Sequence, residues 1–96
     1  MSYLKRAREV FDVELAAVKS VQGRLNRSFD QAVDLIAGAL LERRKLVVVG
    51  VGKSGNIGKK IAATFTSTGA PAVLLDSVDA LHGDLGILND GDVVLA

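Results

Sequence analysis

The sequence predicts an α/β protein with a three-layer arrangement around a parallel sheet of the Rossmann or flavodoxin-like kind. Short apolar runs at residues 47–49, 72–75 and 93–96 support this prediction, because such runs are typical of strands buried on both faces. A helical pattern separates the first two runs, and a glycine-rich turn joins the first run to that helix. Strands that alternate with helices pair in parallel, and ligands then bind beyond the carboxyl ends of the strands.

The first segment is predicted to form a long amphipathic helix, interrupted near Gly23. Its apolar residues recur at intervals of three and four, so they share one face of the helix. They are Leu4, Ala7, Phe11, Leu15, Val18, Val21 and Leu25. Ordinary core packing is the favoured interpretation of this stripe, and contact with the same helix of another subunit is the alternative.

A second helix is predicted to begin at Ser28, where Gln31 completes a capping box. Its expected buried stripe consists of Phe29, Ala32, Val33, Ile36, Ala37, Leu40 and Leu41. The run Arg43-Arg44-Lys45 is expected to end the helix, because positive charge complements the negative end of the helix dipole. We interpret this run as a solvated helix end rather than as a nucleic-acid patch.

The third helix is predicted to point Ile57, Ile61 and Phe65 toward the sheet, while Gly58, Ala62 and Ala63 allow a close approach. Gly69 and Pro71 are expected to end this helix. Beyond the second strand, the sequence predicts a short helical turn over Ser77–Leu81 and a further turn over Asn89–Asp92.

The most informative segment is the turn after the first strand, where Gly50, Gly52 and Gly55 satisfy the spacing G-x-G-x-x-G. Backbone amides at the start of the following helix lack intrahelical acceptors and face the positive end of its dipole, so they attract an anion. A Walker A loop does not fit, because Val47 occupies the position of its leading glycine.

A dinucleotide site fits the three glycines and could use Asp76, after the second strand, as its ribose-binding carboxylate. That interpretation leaves Lys53 and Ser54 unexplained. A flexible ammonium beside a hydroxyl and free amides suits a compact phosphate or a developing oxyanion better than a pyrophosphate held by backbone.

These residues belong to the segment GVGKSGNIGKKIAATFTSTGAP, which is followed by DALHGDLG and NDGDVVLA. Together the segments closely resemble the sugar isomerase (SIS) domain of the arabinose 5-phosphate isomerase family, without a gap from about Leu46 to Ala96. The resemblance implies an SIS-type sheet truncated after its third strand. We therefore expect part of one domain, with helices at residues 1–45 and a phosphosugar-binding βαβ half at residues 46–96.

The resemblance also implies an aldose–ketose isomerase that interconverts ribulose 5-phosphate and arabinose 5-phosphate by way of an enediol. Lys53 matches the family's active-site lysine and His82 matches a histidine that reaches the sugar phosphate, so both are candidate catalytic residues. The predicted substrate-binding residues are Gly52, Ser54, Gly55, Gly69, Ala70 and His82. Ser54 is interpreted equally well as a helix cap, and spacing alone would make His82 a local turn residue.

Asp76 stands where the family commonly has a histidine that is associated with zinc in some relatives. We interpret Asp76 as a cap for the turn that follows the second strand. With one histidine and no cysteine in the chain, we expect neither a metal nor a cofactor.

Two other functions remain open, namely a module that binds a phosphosugar without catalysis and, more weakly, a dinucleotide-binding domain. The net charge of +1 and the aromatic content of 4% predict no nucleic-acid partner. No apolar run approaches the roughly 18 residues that span a membrane, so we expect a cytoplasmic protein. We also expect a homo-oligomer, little turnover by the isolated chain, and self-association through the open edge of the third strand.

Overall fold

The computed structural model describes residues 2–76, 78 and 83–96. Its helices are α1 (Tyr3–Arg24), α2 (Arg27–Leu41) and α3 (Gly52–Ser67), and its strands are β1 (Leu46–Gly50), β2 (Ala72–Asp76) and β3 (Val93–Leu95). A short 3-10 helix covers Asp84–Ile87. The chain divides into two compact units, Met1–Gln31 and Ala32–Ala96, and the sheet lies in the second. Apart from Val78, the helical turn predicted over Ser77–Leu81 lies outside the described residues.

The described strands form a parallel sheet in the order β2-β1-β3, which confirms the predicted α/β fold class. Residues 46–50 of β1 pair in register with 72–76 of β2, and residues 46–48 pair with 93–95 of β3. Because β2 and β3 lie on opposite sides of β1, the direction of connection reverses at the central strand. Ligands of such sheets bind where this reversal occurs, beyond the carboxyl ends of the strands.

The core of the second unit forms where α3 packs on β1. Leu46, Val47 and Val48 are 1%, 0% and 3% exposed, as the apolar run predicts. Gly58 of α3 lies so close to the sheet that an added Cβ would meet Cγ1 of Val48 at 2.9 Å. Ala62 is buried in the same cluster. Close approach through small residues is therefore confirmed at these two positions of α3.

Two residues of α3 differ from the prediction. Ile61 and Phe65 pack against the core as expected, but Ile57 is 63% exposed and Ala63 is also exposed. In the first turns of α3 the buried face consists of glycines, which bring the helix backbone itself against the sheet. Ile57 instead borders the open space between α3 and the end of β3.

The helix α2 begins one residue earlier than predicted, and its cap is different. The Oδ1 atom of Asn26 accepts a hydrogen bond from the Ser28 N–H at 2.9 Å, so the predicted capping box at Ser28 is wrong. Ile36 and Leu40 are half-buried, but Phe29 is 57% exposed. Periodicity identifies the apolar face of a helix without showing how much of its length is covered, and α2 straddles the boundary between the two units.

The helix α1 begins at a cap in which the Ser2 hydroxyl accepts from the Lys5 N–H, and it ends just beyond Gly23. None of its residues is buried, so core packing of the predicted stripe is wrong for the described part of the chain. Phe11 and Leu15 of the stripe are 69% and 64% exposed. Across the described residues, no helix is both long enough and apolar enough to span a membrane.

The basic run after α2 lies in the connection to β1 rather than in the last turn of the helix, since α2 ends at Leu41. Lys45 is not solvated, because its Nζ and its backbone N–H both donate to the Asp92 carboxylate. The Asn89 N–H donates to the same carboxylate at 2.8 Å. These bonds tie the start of β1 to the predicted turn over Asn89–Asp92, which the Asp92 N–H closes by donating to the Asn89 carbonyl. We call this end of the sheet the amino edge.

Candidate phosphate site at the carboxyl edge

At the opposite end of the sheet, the carboxyl edge, β1 passes into α3 through a sharp turn. Val51 is the N-cap of α3 and has extended backbone angles, and Gly52 follows with a φ of +60°, a conformation that favours glycine. An added Cβ at Gly50 would lie 2.9 Å from both the backbone nitrogen of Gly55 and the carbonyl carbon of Ser54. A glycine at position 50 therefore allows the end of β1 to contact the first turn of α3.

The first turn of α3 presents backbone N–H groups at this edge. The Gly55 N–H donates to the Val51 carbonyl at 3.3 Å, which is the first hydrogen bond of the helix. Within the described residues, the N–H groups of Gly52, Lys53 and Ser54 have no acceptor, as is usual for the first residues of a helix. Because they point toward the positive end of the helix dipole, the turn has the chemistry of an anion site.

Side-chain charge strengthens this positive field. Lys53 is exposed and is the second residue of α3, so its ammonium lies on the same turn as the three N–H groups. No acidic side chain is present in the first turn of this helix. Lys59 and Lys60, further along α3, are solvent-exposed as expected. Among the described residues, the turn therefore presents three N–H donors and one positively charged side chain, with no negatively charged one.

The sequence allowed Ser54 to be either a helix cap or a phosphate ligand, and the structure shows Ser54 in a cap at the start of α3. Its Oγ donates to the Val51 carbonyl at 2.8 Å and accepts from the Val51 N–H at 3.2 Å. The hydroxyl therefore bonds both polar groups of the residue that precedes α3. Direct contact between Ser54 and a phosphate stays a prediction.

A cavity of about 260 Å³ opens beside this turn, between α3 and the carboxyl ends of β1 and β3. Its lining residues are Val48, Val49, Ser54, Ile57, Gly58, Ile61, Leu95 and Ala96. The cavity lies at the reversal point of the sheet, where ligands of this fold class bind. Sequence reasoning assigned Ile57 to the core and so missed its place in this lining. The signal that could have shown it is the position of Ile57 only one turn after the N-terminus of α3, beyond the last pairing of β1.

Asp76 lies on the other side of β1, in register with Gly50. Its Oδ1 accepts from the Val78 N–H at 2.8 Å, so the predicted strand-end cap is confirmed. In the part of the chain that the structure describes, no three His, Asp or Glu side chains are grouped as metal ligands would be. This hydrogen bond accounts for an aspartate at position 76 without any contact to a ribose.

The other predicted site residues do not gather at this turn. Gly69 and Ala70 follow the far end of α3, about 24 Å away for a helix of 16 residues, next to the amino edge of the sheet. Their N–H groups donate to the carbonyls of Thr66 and Phe65 and so close the helix. Within one chain these two residues therefore lie apart from Lys53, and their contact with a substrate stays a prediction. His82 lies outside the described residues, and its role stays a prediction as well.

Comparisons with known proteins agree with this geometry. The SIS domain model matches residues 39–96. The arabinose 5-phosphate isomerase GutQ of Escherichia coli K12 is 44% identical over 92 residues, which are 96% of this chain and 28% of that protein. The chain therefore spans little more than a quarter of the length of this relative.

Solved structures show the same similarity over about half of their own length. A crystal structure of a candidate phosphosugar isomerase involved in capsule formation, from Bacteroides fragilis, superposes with a TM-score of 0.90 and 37% identity, over 97% of this chain and 48% of that one. An Escherichia coli CFT073 protein in complex with arabinose 5-phosphate superposes with a TM-score of 0.76 and 34% identity, over 98% and 50%. The resemblance seen in the glycine-rich segment is thereby confirmed, and the chain belongs to the SIS domain family.

Proposed function

We propose that this chain forms part of an aldose–ketose isomerase that interconverts ribulose 5-phosphate and arabinose 5-phosphate. The observation that carries the proposal is the first turn of α3, where three N–H groups and Lys53 meet at the carboxyl edge of the central strand. Relatives that are similar over nearly the whole chain are named arabinose 5-phosphate isomerases, which favours an enzyme over a non-catalytic module.

The proposed reaction moves one proton between neighbouring carbons of the sugar. A base removes a proton from the hydroxyl-bearing carbon next to the carbonyl, the carbonyl oxygen gains a proton, and an enediol forms. A proton then returns to the former carbonyl carbon while the hydroxyl on the neighbouring carbon loses its proton and becomes the new carbonyl. One proton has moved between the carbons and one between their oxygens, so the atoms balance without an oxidant or reductant. Negative charge develops on oxygen in the transition state, and fixed donors stabilise such charge most when they are already in place. In this proposal Lys53 supplies positive charge to the sugar phosphate or to that oxygen, and His82 is the second catalytic residue.

Affinity measurements on the chain test the proposal. We expect arabinose 5-phosphate to bind and free arabinose to bind at least about tenfold more weakly. The reason is that a hydrogen bond to a charged group contributes more binding free energy than one to a neutral group. We expect NAD to bind more weakly than arabinose 5-phosphate. Equal affinity for arabinose and its 5-phosphate would contradict a phosphate site, and a preference for NAD would favour a dinucleotide-binding domain instead.

Turnover is a separate question, because the chain spans 28% of GutQ. General acid–base catalysis needs a base within hydrogen-bond reach of the substrate proton. We expect the 96-residue chain to bind the sugar phosphate with little isomerisation. Isomerase activity near that of a full-length relative would show that the 96-residue chain already contains the base.

We also propose a homo-oligomer that uses the stripe of α1. Phe11 on this stripe is 69% exposed, and a stripe of exposed apolar residues on a helix favours a partner helix. Phe11→Glu should lower the molar mass measured by light scattering. Val13, which is 67% exposed on another face of α1, provides the matched control, and Val13→Glu should leave the mass unchanged. A monomeric parent chain at all concentrations would overturn this proposal.

The cytoplasm is the proposed location. A pentose 5-phosphate is an anion, and an isolated charged group is strongly disfavoured in the hydrocarbon core of a membrane, so such a substrate stays in the compartment where it is made. Fractionation of cells that express a tagged copy tests this location, and recovery of the protein outside the cytoplasmic fraction would contradict it.

A further inference from the structure

The turn over Asn89–Asp92 contains a pair of residues with a chemistry of its own. Asp90 is followed by Gly91, and every other aspartate or asparagine of the chain precedes a residue that carries a side chain. The carboxyl of an aspartate can close a five-membered ring with the backbone nitrogen of the next residue. Glycine has no Cβ, so its nitrogen is the least hindered toward this reaction and its backbone rotates most freely.

The structure leaves both reacting groups of this pair accessible. Asp90 and Gly91 are exposed, so water reaches them. Within the described residues, the Gly91 N–H has no acceptor and the Asp90 carboxylate has no ion-pair partner. Gly91 has a φ of +85°, so the turn itself favours a glycine at this position and the reactive pair is part of the turn.

We propose that Asp90 is a modification site at which the chain isomerises without an enzyme, from aspartate to isoaspartate. The Gly91 nitrogen bonds to Cγ of the protonated Asp90 carboxyl, and the amide proton leaves with the carboxyl hydroxyl as water. The product is a succinimide ring. Water then cleaves the ring either at Cγ, which restores aspartate, or at the backbone carbonyl carbon, which leaves Gly91 joined through Cγ as isoaspartate. One water is lost and one is gained, so the atoms balance without an oxidant or reductant.

The hydrogen bonds around Asp92 limit the rate of this reaction. Because the φ of Gly91 is positive and that of Asp90 is not, the turn is of type II, in which the second residue has a ψ of about +120°. This ψ directs the Gly91 nitrogen away from the Asp90 side chain, so the peptide between them must rotate before the ring can close. Two bonds between Asn89 and Asp92 oppose the rotation. The Asp92 N–H donates to the Asn89 carbonyl at 3.1 Å, and the Asn89 N–H donates to the Asp92 carboxylate at 2.8 Å. Isomerisation therefore proceeds through local opening of the turn.

The modification should weaken the amino edge of the sheet. In isoaspartate the main chain runs through Cβ and Cγ, which adds one atom to the path between Asn89 and Asp92. The two bonds between these residues cannot both keep their geometry with the longer path. Since the Asp92 carboxylate also accepts from the Nζ and N–H groups of Lys45, we expect the contact between this turn and the start of β1 to weaken as well.

Prolonged incubation of the folded chain in mildly acidic buffer tests the inference. Labelling with a protein isoaspartyl methyltransferase measures isoaspartate, and peptide mapping locates it. We expect isoaspartate at Asp90 and none at Asp34, an exposed aspartate that precedes a leucine. Asp90→Ala should form none. Asp92→Ala, at a temperature where circular dichroism shows it folded, should form isoaspartate about tenfold faster, because its turn opens more often.

Thermal unfolding before and after the incubation measures the consequence for stability. The midpoint of the parent should fall as isoaspartate accumulates, and that of Asp90→Ala should not change. The parent chain incubated in urea is the positive control for detection.

Each part of the inference has its own contradicting outcome. Absence of isoaspartate at Asp90 in the folded parent would overturn the site. Equal amounts at Asp34 and Asp90 would overturn the role of Gly91. Equal rates in the parent and in Asp92→Ala would overturn control by the Asp92 bonds, and an unchanged midpoint in the isomerised parent would overturn the effect on the amino edge.

Discussion

The amino and carboxyl edges of the sheet differ in whether their polar groups are hydrogen-bonded within the protein. At the amino edge, the Asp92 side chain is only 4% exposed and accepts from two donors of Lys45 and from the Asn89 N–H. At the carboxyl edge, the N–H groups of Gly52 and Lys53 have no acceptor among the described residues.

This difference indicates that, within one small unit, the polar groups of the amino edge stabilise the fold and those of the carboxyl edge are available to a ligand. Polar groups that are bonded to one another hold strands in place, and breaking one partner leaves the other unsatisfied. Polar groups without partners contribute little to the fold but are available to a ligand. Variants of the amino edge should therefore change stability and spare binding, and variants of the carboxyl edge should do the reverse.

The largest loss of stability is expected for Asp92→Ala, which removes the shared acceptor of three donors and leaves the Lys45 ammonium, 19% exposed, without its partner. Thermal unfolding should show a lower midpoint than any other variant proposed here. Affinity for arabinose 5-phosphate at a temperature where the variant is folded should be unchanged. Asp90→Ala removes an exposed carboxylate from the same turn and should leave the midpoint near that of the parent. An equal fall in the unfolding midpoint of both variants would contradict a specific role for the hydrogen bonds of Asp92.

The largest effect on binding is expected for Lys53→Ala at the carboxyl edge. Affinity for arabinose 5-phosphate should fall about tenfold to a hundredfold, because hydrogen bonds to charged groups contribute about 1.5–3 kcal/mol. The unfolding midpoint should barely move, since Lys53 is exposed. Lys60→Ala removes an exposed lysine later in α3 and serves as the control. Titration calorimetry with arabinose 5-phosphate measures the affinity of each variant. Equal affinities of the two variants would refute the assignment of Lys53.

A smaller effect, on both stability and binding, is expected for Gly50→Ala. Its new Cβ would lie 2.9 Å from backbone atoms of Ser54 and Gly55, so the turn must shift, at about 1–3 kcal/mol of unfolding free energy. Affinity should fall as well, because the shift moves the N–H groups. At Gly38 in α2 an added Cβ meets nothing within 4 Å, so Gly38→Ala should instead stabilise the chain by about 0.5–1 kcal/mol. Urea unfolding measures the change in unfolding free energy for both variants. A change of the same sign in both would count against the close approach of β1 to α3 at Gly50.

The smallest effect is expected in acid. The Lys45 ammonium, followed by the Asn89 N–H, lowers the pKa of Asp92 from its usual 3.8 to about 2. A carboxyl whose pKa is lowered by folding stabilises the fold above its unfolded pKa and loses that contribution as the pH falls through its folded pKa. The parent should therefore lose stability relative to Asp92→Asn as the pH falls from 3.8 to about 2. Parallel curves of unfolding free energy against pH for the two proteins would contradict the lowered pKa.

Local patterns predicted the elements on which the candidate phosphate site depends. The valine run predicted β1, and the glycine spacing placed the turn and the start of α3, because both features depend on neighbours in sequence. The Lys45–Asp92 pair joins residues 47 positions apart, so a reading of local charge could only treat Lys45 as part of a basic run.

The wrong predictions concern what covers an apolar face. Phe11 and Ile57 have the spacing of buried residues, yet both are exposed, since a repeat defines a face without naming its partner. The substrate contact of Gly69 and Ala70 stays a prediction, because it came from family resemblance alone, which gives no distance from Lys53. The length of α3 places these two residues at the other end of the sheet.

The central claim is that the carboxyl edge binds the phosphate and the amino edge does not. An amide chemical-shift titration of the chain with arabinose 5-phosphate by NMR tests this claim residue by residue. We predict large shifts at Gly52, Lys53, Ser54 and Gly55 and none at Lys45, Asn89 or Asp92. Shifts confined to the amino edge, or none at either edge at saturating ligand, would contradict it.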